Sequence, residues 1–144
     1  MKHKIMIITN SIWYTVNFRL NLVKELRCLG FDVIAVAPDG TGDKSLLRDA
    51  GVDYINLPID SKGANPFSDL IYLLRLLKVI YNKQPLVCLS FTVKPNIYCG
   101  LACQILGKAV IQNISGLGTT FIKTNWLTSV VKVLYRISLR RSFK

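Results

Sequence analysis

Histidine and late carboxylates are what this chain most lacks. Its one histidine, His3, precedes the first predicted strand, so a Ser–His or Cys–His nucleophile is not expected. All eight acidic residues (Glu25, Asp32, Asp39, Asp43, Asp49, Asp53, Asp60 and Asp69) lie in the first 69 positions. No carboxylate pair follows a hydrolase spacing, and Asp39 and Asp60, at the ends of predicted strands, read equally well as turn residues. No run of about 18 uncharged apolar residues occurs, so no membrane-spanning helix is expected. The amino terminus has only a short apolar run, Ile5–Thr9, and no small-residue cleavage site, so no signal peptide is expected. Four cysteines (Cys28, Cys88, Cys99, Cys103) fit no zinc spacing. Buried free thiols in a reducing compartment are expected in preference to metal or disulfide roles. Repeats, low-complexity tracts and linkers are missing, and so is the full dinucleotide-binding glycine fingerprint.

What is present is one apolar, basic domain. The chain has 144 residues, 51% of them hydrophobic, and a formal charge of +11, which suits a single folded unit with a real core. Eight Lys/Arg balance the acidic residues of the first 69 positions, whereas eleven Lys/Arg stand among the 75 residues that follow, with no carboxylate beside them. Such a field attracts phosphates, anionic lipid headgroups or nucleic acid. An acidic partner domain outside this chain is the plain alternative. No nucleic-acid recognition motif accompanies the charge, and nucleic acid is not expected as a partner.

Strand and helix signals alternate throughout. Strands are predicted at Lys4–Thr9, Asp32–Ala37, Asp53–Leu57, Leu86–Ser90 and Ala109–Ile114. Helices are predicted at Phe18–Leu29, stopped by Gly30, at Asp43–Ala50, at Pro66–Asn82 behind an Asn65 cap, at Pro95–Leu106, stopped by Gly107, and at Trp126–Arg141. In Pro66–Asn82 the spacing predicts Leu70, Leu73, Leu74, Leu77 and Ile80 or Tyr81 on the buried face. Strands and helices alternating at this spacing mean an α/β, Rossmann-like, doubly wound parallel sheet, with expected order 3-2-1-4-5. Ligands then bind beyond the carboxyl ends of the strands. That rule selects the loops Asn10–Asn17, Pro38–Gly42, Asp60–Asn65, Phe91–Asn96 and Ser115–Asn125.

These loops hold the candidate binding residues. Asn10 and Ser11 offer an amide and a hydroxyl, and Trp13 reads either as a sugar-stacking ring or as packing against the sheet edge. Arg19 stands at a predicted helix start, where the dipole favours an anion, so it suits a phosphate or a carboxylate partner. Lys62 and Lys94 each follow a strand and precede a proline-started helix. Together they can hold a diphosphate; ordinary surface lysines are the alternative. Asn96 reads as a helix cap or as a ligand contact. Gly116 and Gly118, followed by Thr119 and Thr120, let backbone and hydroxyls approach a ligand, although a lone Gly-x-Gly is a weak signal. In the last helix Lys132, Arg136 and Arg140 form one stripe opposite Leu127, Val130, Val131, Leu134 and Ile137. With Phe121, Trp126 and Tyr135 nearby, this reads as a surface for anionic membrane or as an ordinary solvated face.

Taken together, ITNSIW with NFRL, LPIDSKGANPF, LSFTVKPNIYCGL and ISGLGTTF resemble the amino-terminal half of family 4 glycosyltransferases of the GT-B fold. The likeness is closest to bacterial enzymes that extend sugars on polyprenyl-diphosphate carriers in polysaccharide biosynthesis. The resemblance implies that residues 1–144 form an acceptor-binding domain, one half of a GT-B architecture, with the carboxyl-terminal donor-binding domain absent. It implies a retaining transfer from a nucleotide sugar, a co-substrate, to a lipid-linked saccharide acceptor, with no other cofactor and no metal. Asn10, Ser11, Trp13, Arg19, Lys62, Lys94 and Asn96 would then serve the acceptor. Thr92, Gly116, Gly118 and Thr119 would line the donor sugar. Relatives carry a histidine in the fourth-strand loop, where this chain has Phe91-Thr92-Val93-Lys94, so Thr92 or Lys94 would take that contact. The chain is then expected to be a truncated product, an excised domain or one subunit of a split enzyme, inactive alone. Its expected location is cytoplasmic, peripheral on the inner face of the plasma membrane. The alternative is a non-catalytic basic module binding an anionic membrane or a partner donor-binding subunit.

Overall fold

Five apolar runs become strands: β1 (Lys4–Ile8), β2 (Asp32–Ala37), β3 (Asp53–Asn56), β4 (Val87–Phe91) and β5 (Ala109–Asn113). The structure, a computed structural model, describes residues 3–60, 65–115 and 126–140, of which 126–128 are described by backbone alone. The strands pair in parallel as one sheet, in the order β3-β2-β1-β4-β5. The expected 3-2-1-4-5 order is therefore the observed one. The direction of winding reverses between β1 and β4, where Ile8 is in register with Ser90.

The helices are α1 (Ile12–Tyr14), a π-helical turn at Thr15–Arg19, α2 (Leu20–Cys28), α3 (Ser45–Asp49), α4 (Pro66–Lys83), α5 (Val93–Leu106) and α6 (Trp126–Ser138). Side chains alternate along β1, and the alternation builds two cores. Met6 and Ile8 join Tyr72, Leu76 and Ile80 of α4 and Cys99, Ala102 and Cys103 of α5 on one face. Ile7 joins Ile12, Val16, Val23 and Leu47 on the other. Asn65 caps α4 by accepting from the Phe67 N–H at 3.0 Å, with Pro66 behind it. Gly30 and Gly107 end their helices at φ +89° and +64°, a backbone region that only glycine enters freely.

Two expectations are corrected. Helix begins at Ile12, not Phe18, so most of the predicted loop Asn10–Asn17 is helical. The π turn holds one residue more per turn and resets the apolar phase between Val16 and Val23, which hides the helix from a 3.6-residue pattern. On α4 the buried residues are Tyr72, Leu76 and Ile80, with Leu73 and Leu77 partly buried, while Leu70, Leu74 and Tyr81 face outward. Apolar residues surround this helix, so period alone could not choose its face.

Candidate functional site

The carboxyl end of β1 is locked by three hydroxyls. Thr9 Oγ1 donates to the Ser11 carbonyl at 3.0 Å and lies 2.6 Å from Thr15 Oγ1. Ser11 accepts from the Tyr14 N–H at 3.1 Å and so caps α1. The β2–α3 corner presses on the same place: a Cβ added to Gly42 would lie 2.7 Å from the Trp13 backbone nitrogen. Asn10 and Ser11 therefore stand on a stiff rim at the winding reversal. Trp13 belongs to α1 and keeps 48% of its surface exposed, meeting the Phe18 ring edge-on at 5.5 Å. It packs against a neighbouring ring and still presents a face to solvent.

Arg19 crosses from this rim to β4. Its guanidinium carbon lies 4.3 Å from the Phe91 ring centroid and 5.2 Å from that of Tyr14. Nη2 donates to the Tyr14 hydroxyl at 2.8 Å and Nη1 to the Phe18 carbonyl at 3.1 Å. Nε is shut from solvent and has no hydrogen-bond partner. Arg19 closes the π turn inside a continuous helical run. The helix-start dipole argument made for it is thereby corrected, since the exposed N–H groups lie at Ile12. No carboxylate pairs with it among the described ion pairs.

Beside Phe91, Thr92 carries backbone angles φ 72° and ψ 164°. This region is almost reserved for glycine, and strain of about 1–3 kcal/mol accompanies it. Thr92 is the N-cap of α5, yet its hydroxyl caps nothing, is buried, and has no partner. The helix begins at the reversal point with the N–H groups of Val93 and Lys94, since Pro95 has none and Asn96 donates to the Thr92 carbonyl at 3.0 Å.

Lys94 stands in the first turn of α5, and its Nζ meets Asp69 Oδ1 of α4 at 2.7 Å. One of the late positive charges is therefore opposed, by the last carboxylate in the chain. Tyr98 also hydrogen-bonds Asp69; burial, then that carboxylate, pushes its phenol well above the usual range.

Asn96 is corrected. It is 1% exposed and neither caps α5 nor reaches a ligand surface. Its Oδ1 accepts from Ser90 at 2.8 Å and its Nδ2 donates to the Asn113 carbonyl at 2.9 Å. Gln112 donates to its carbonyl at 2.6 Å. This network holds β4, β5 and α5 together below the site. Tyr135 of α6 reaches the same amide and is 6% exposed, so its ring is packed inside rather than interfacial. Lys132, Arg136 and Arg140 are exposed, as are Val130 and Val133. Lys62, Gly116, Gly118 and Thr119 lie outside the described residues, and so do Thr120 and Phe121.

Sequence reasoning brought Asn10, Ser11, Arg19, Thr92 and Lys94 to one edge of the sheet, since β1 and β4 are neighbours. It missed Thr9, Thr15, Phe91 and Asp69. Only the strand-end position of Thr9 and Phe91 hinted at them.

Comparison with solved structures agrees with this architecture. The chain is similar to Acinetobacter baumannii MurG (18% identity, TM-score 0.62), covering 92% of this chain and 39% of that one. It is similar to a glycosyltransferase from Rickettsia africae (17%, TM-score 0.63), covering 99% and 42%. A UDP-N-acetylglucosamine 2-epimerase shares the fold too (15%, TM-score 0.69), at 99% and 40% coverage. The chain thus spans about two fifths of each of these proteins, the extent of one Rossmann-like half of a GT-B fold. No curated protein matches it. The family model described as "Glycosyl transferase 4-like" matches residues 4–144, and the chain belongs to that family.

Proposed function

We propose that this domain is the acceptor-binding half of a retaining glycosyltransferase. It receives a polyprenyl-diphosphate-linked glycan, to which a sugar is moved from a nucleotide donor held by a second, donor-binding half or subunit. One observation carries the reading. The Arg19 guanidinium lies over the Phe91 ring, Thr92 follows Phe91 and opens α5, and both stand where the winding reverses between β1 and β4. A cation, a hydroxyl donor and free N–H groups suit a phosphorylated ligand. Asn10, Ser11 and Trp13 would line the saccharide, with Lys94 and Lys62 near the phosphates. Thr92, Gly116, Gly118 and Thr119 would face the transferred sugar. The reading includes a half-site that is inactive alone and uses no metal.

A peripheral seat on the cytoplasmic face of an anionic membrane fits a lipid-linked acceptor. No helix among the described residues is long and apolar enough to cross a membrane. Phe67, Leu70, Ile71 and Leu74 are exposed along one side of α4, and Lys132, Arg136 and Arg140 are exposed on α6. The same features favour a second reading, a non-catalytic basic module on a membrane or a partner subunit.

Binding of a polyprenyl-diphosphate saccharide in detergent separates the two. Arg19→Ala should weaken binding at least about tenfold, the scale of a lost charge-assisted contact, while Arg136→Ala with Arg140→Ala should not. The reverse ranking, with steep weakening by salt, would favour the basic module. Sugar transfer by the isolated chain from any UDP-sugar would refute the half-site.

A further inference from the structure

Three of the four cysteines, scattered in the sequence, meet inside the protein. Cys88 comes from β4, and Cys99 and Cys103 come from successive turns of α5. All three are 0% exposed, whereas Cys28 is exposed, against the expectation that every thiol is buried. Their sulfurs all lie within 4.8 Å of one another, and Cys99 and Cys103 are 3.9 Å apart. Three thiolates around one ion at the ~2.3 Å bond length stand about 4 Å apart in trigonal geometry. The triangle needs to close by less than an ångström to reach it.

From this geometry we infer that Cys88, Cys99 and Cys103 form a site for a thiophilic closed-shell cation, with Cu(I) the best fit. The surroundings choose the ion. Ala102, Val110 and Leu106 pack in the same cluster, whose oxygen-bearing side chains are the phenols of Tyr72 and Tyr98, so no carboxylate stands there for Mg²⁺ or Ca²⁺. The chain's single histidine is His3, leaving no imidazole to complete a tetrahedral zinc set. Three soft sulfurs suffice for Cu(I). Met6, also 0% exposed, is directly in register with Cys88 on the adjacent strand and adds a soft thioether to the same core.

Binding would expel thiol protons to solvent and transfer no electrons. An ion here would clamp β4 to α5 directly beneath the Phe91–Thr92 elbow. The inference stands apart from the acceptor reading and does not depend on it.

The test uses the whole chain, reduced and under nitrogen, titrated with Cu(I) against a chromophoric Cu(I) chelator. One ion per chain is expected, with Cys28→Ser unchanged. Cys88→Ala, Cys99→Ala and Cys103→Ala should each lose at least about tenfold in affinity. Because buried substitutions can impair folding, X-ray absorption on the loaded wild-type chain gives an independent readout: a three-sulfur shell without nitrogen or oxygen. Failure to bind one equivalent, a nitrogen or oxygen shell, or loss of binding in Cys28→Ser would overturn the site. So would Zn²⁺ binding while Cu(I) does not, or a Cys99–Cys103 disulfide in the purified chain.

Discussion

Lys94 Nζ lies 2.7 Å from Asp69 Oδ1, with side-chain exposures of only 16% and 15%. The pair ties the first turn of α5 to the first turn of α4, two segments that start at the carboxyl edge of the sheet. A lysine read as a phosphate ligand is thus also a partly buried structural cation, and the two roles make different demands on Asp69.

Removing the carboxylate tests this. Asp69→Ala leaves a partly buried ammonium without its counter-charge and is expected to cost about 1.5–3 kcal/mol in urea unfolding. The double variant Asp69→Leu with Lys94→Met should recover most of the loss. Wild-type stability in the single variant would show that the pair is not structural.

Thr92 offers a substitution that should stabilise. Glycine at φ 72° and ψ 164° relieves strain of about 1–3 kcal/mol, against an unfolded-state entropy loss of about 0.5–1 kcal/mol. Both Thr92→Gly and Thr92→Ala shed the unpaired buried hydroxyl, but only glycine also relieves the strain, so Thr92→Gly is expected to melt at a higher temperature than Thr92→Ala. Equal melting of both variants would mean that the elbow holds no strain.

Gly100 is where α6 meets α5. A Cβ there would lie 2.6 Å from Gln112 Nε2 and 2.8 Å from the Ser138 carbonyl. Gln104 Nε2 fastens the same helix end, donating to Ile137 and Ser138 carbonyls at 2.7 and 2.8 Å. Gly100→Ala should cost about 1–3 kcal/mol, with faster amide exchange concentrated in α6. Exchange that rises evenly through the sheet would contradict this docking.

Acid should loosen the β2–α3 corner. Asp39 accepts from Lys44, from Tyr54 at 2.7 Å and from Asn56 at 3.0 Å. The Lys44 contact, then the Tyr54 hydroxyl, holds its carboxyl below the usual range. A lowered folded-state value stabilises above the ordinary carboxylate pKa of about 3.9 and is lost as pH falls through the lowered value. Melting of Asp39→Asn should therefore depend less on pH below about 4 than that of wild type. Parallel acid profiles would exclude the linkage.

Element type and strand order were legible because they rest on local pattern: β-branched runs, Asn65-Pro66 at a helix start, Gly30 and Gly107 at helix ends. The early start of the first helix was not, since the π turn breaks the period between Val16 and Val23. The buried face of α4 was not either, because Leu70, Leu73 and Leu74 satisfy the helical spacing as well as Tyr72 and Leu76 do. At the candidate site, Arg19 and Lys94 were visible as charges in suggestive places, but their surroundings were not. Neither the Phe91 ring under Arg19 nor Asp69 beside Lys94 has a sequence signature, for each comes from a different element.

What the order of residues determined by itself is the alternation of strand and helix, and with it a parallel sheet whose carboxyl edge holds the loops after β1 and β4. What only the tertiary structure decided is how polar and sulfur groups pair across elements. It turned Asn96 inward, neutralised Lys94, left Arg19 Nε and Thr92 Oγ1 unmatched, and gathered Cys88, Cys99 and Cys103. The reason is geometric. Backbone periodicity repeats within a few residues and can be read locally, whereas hydrogen bonds, ion pairs and sulfur contacts depend on distances of a few ångströms between segments far apart in the chain.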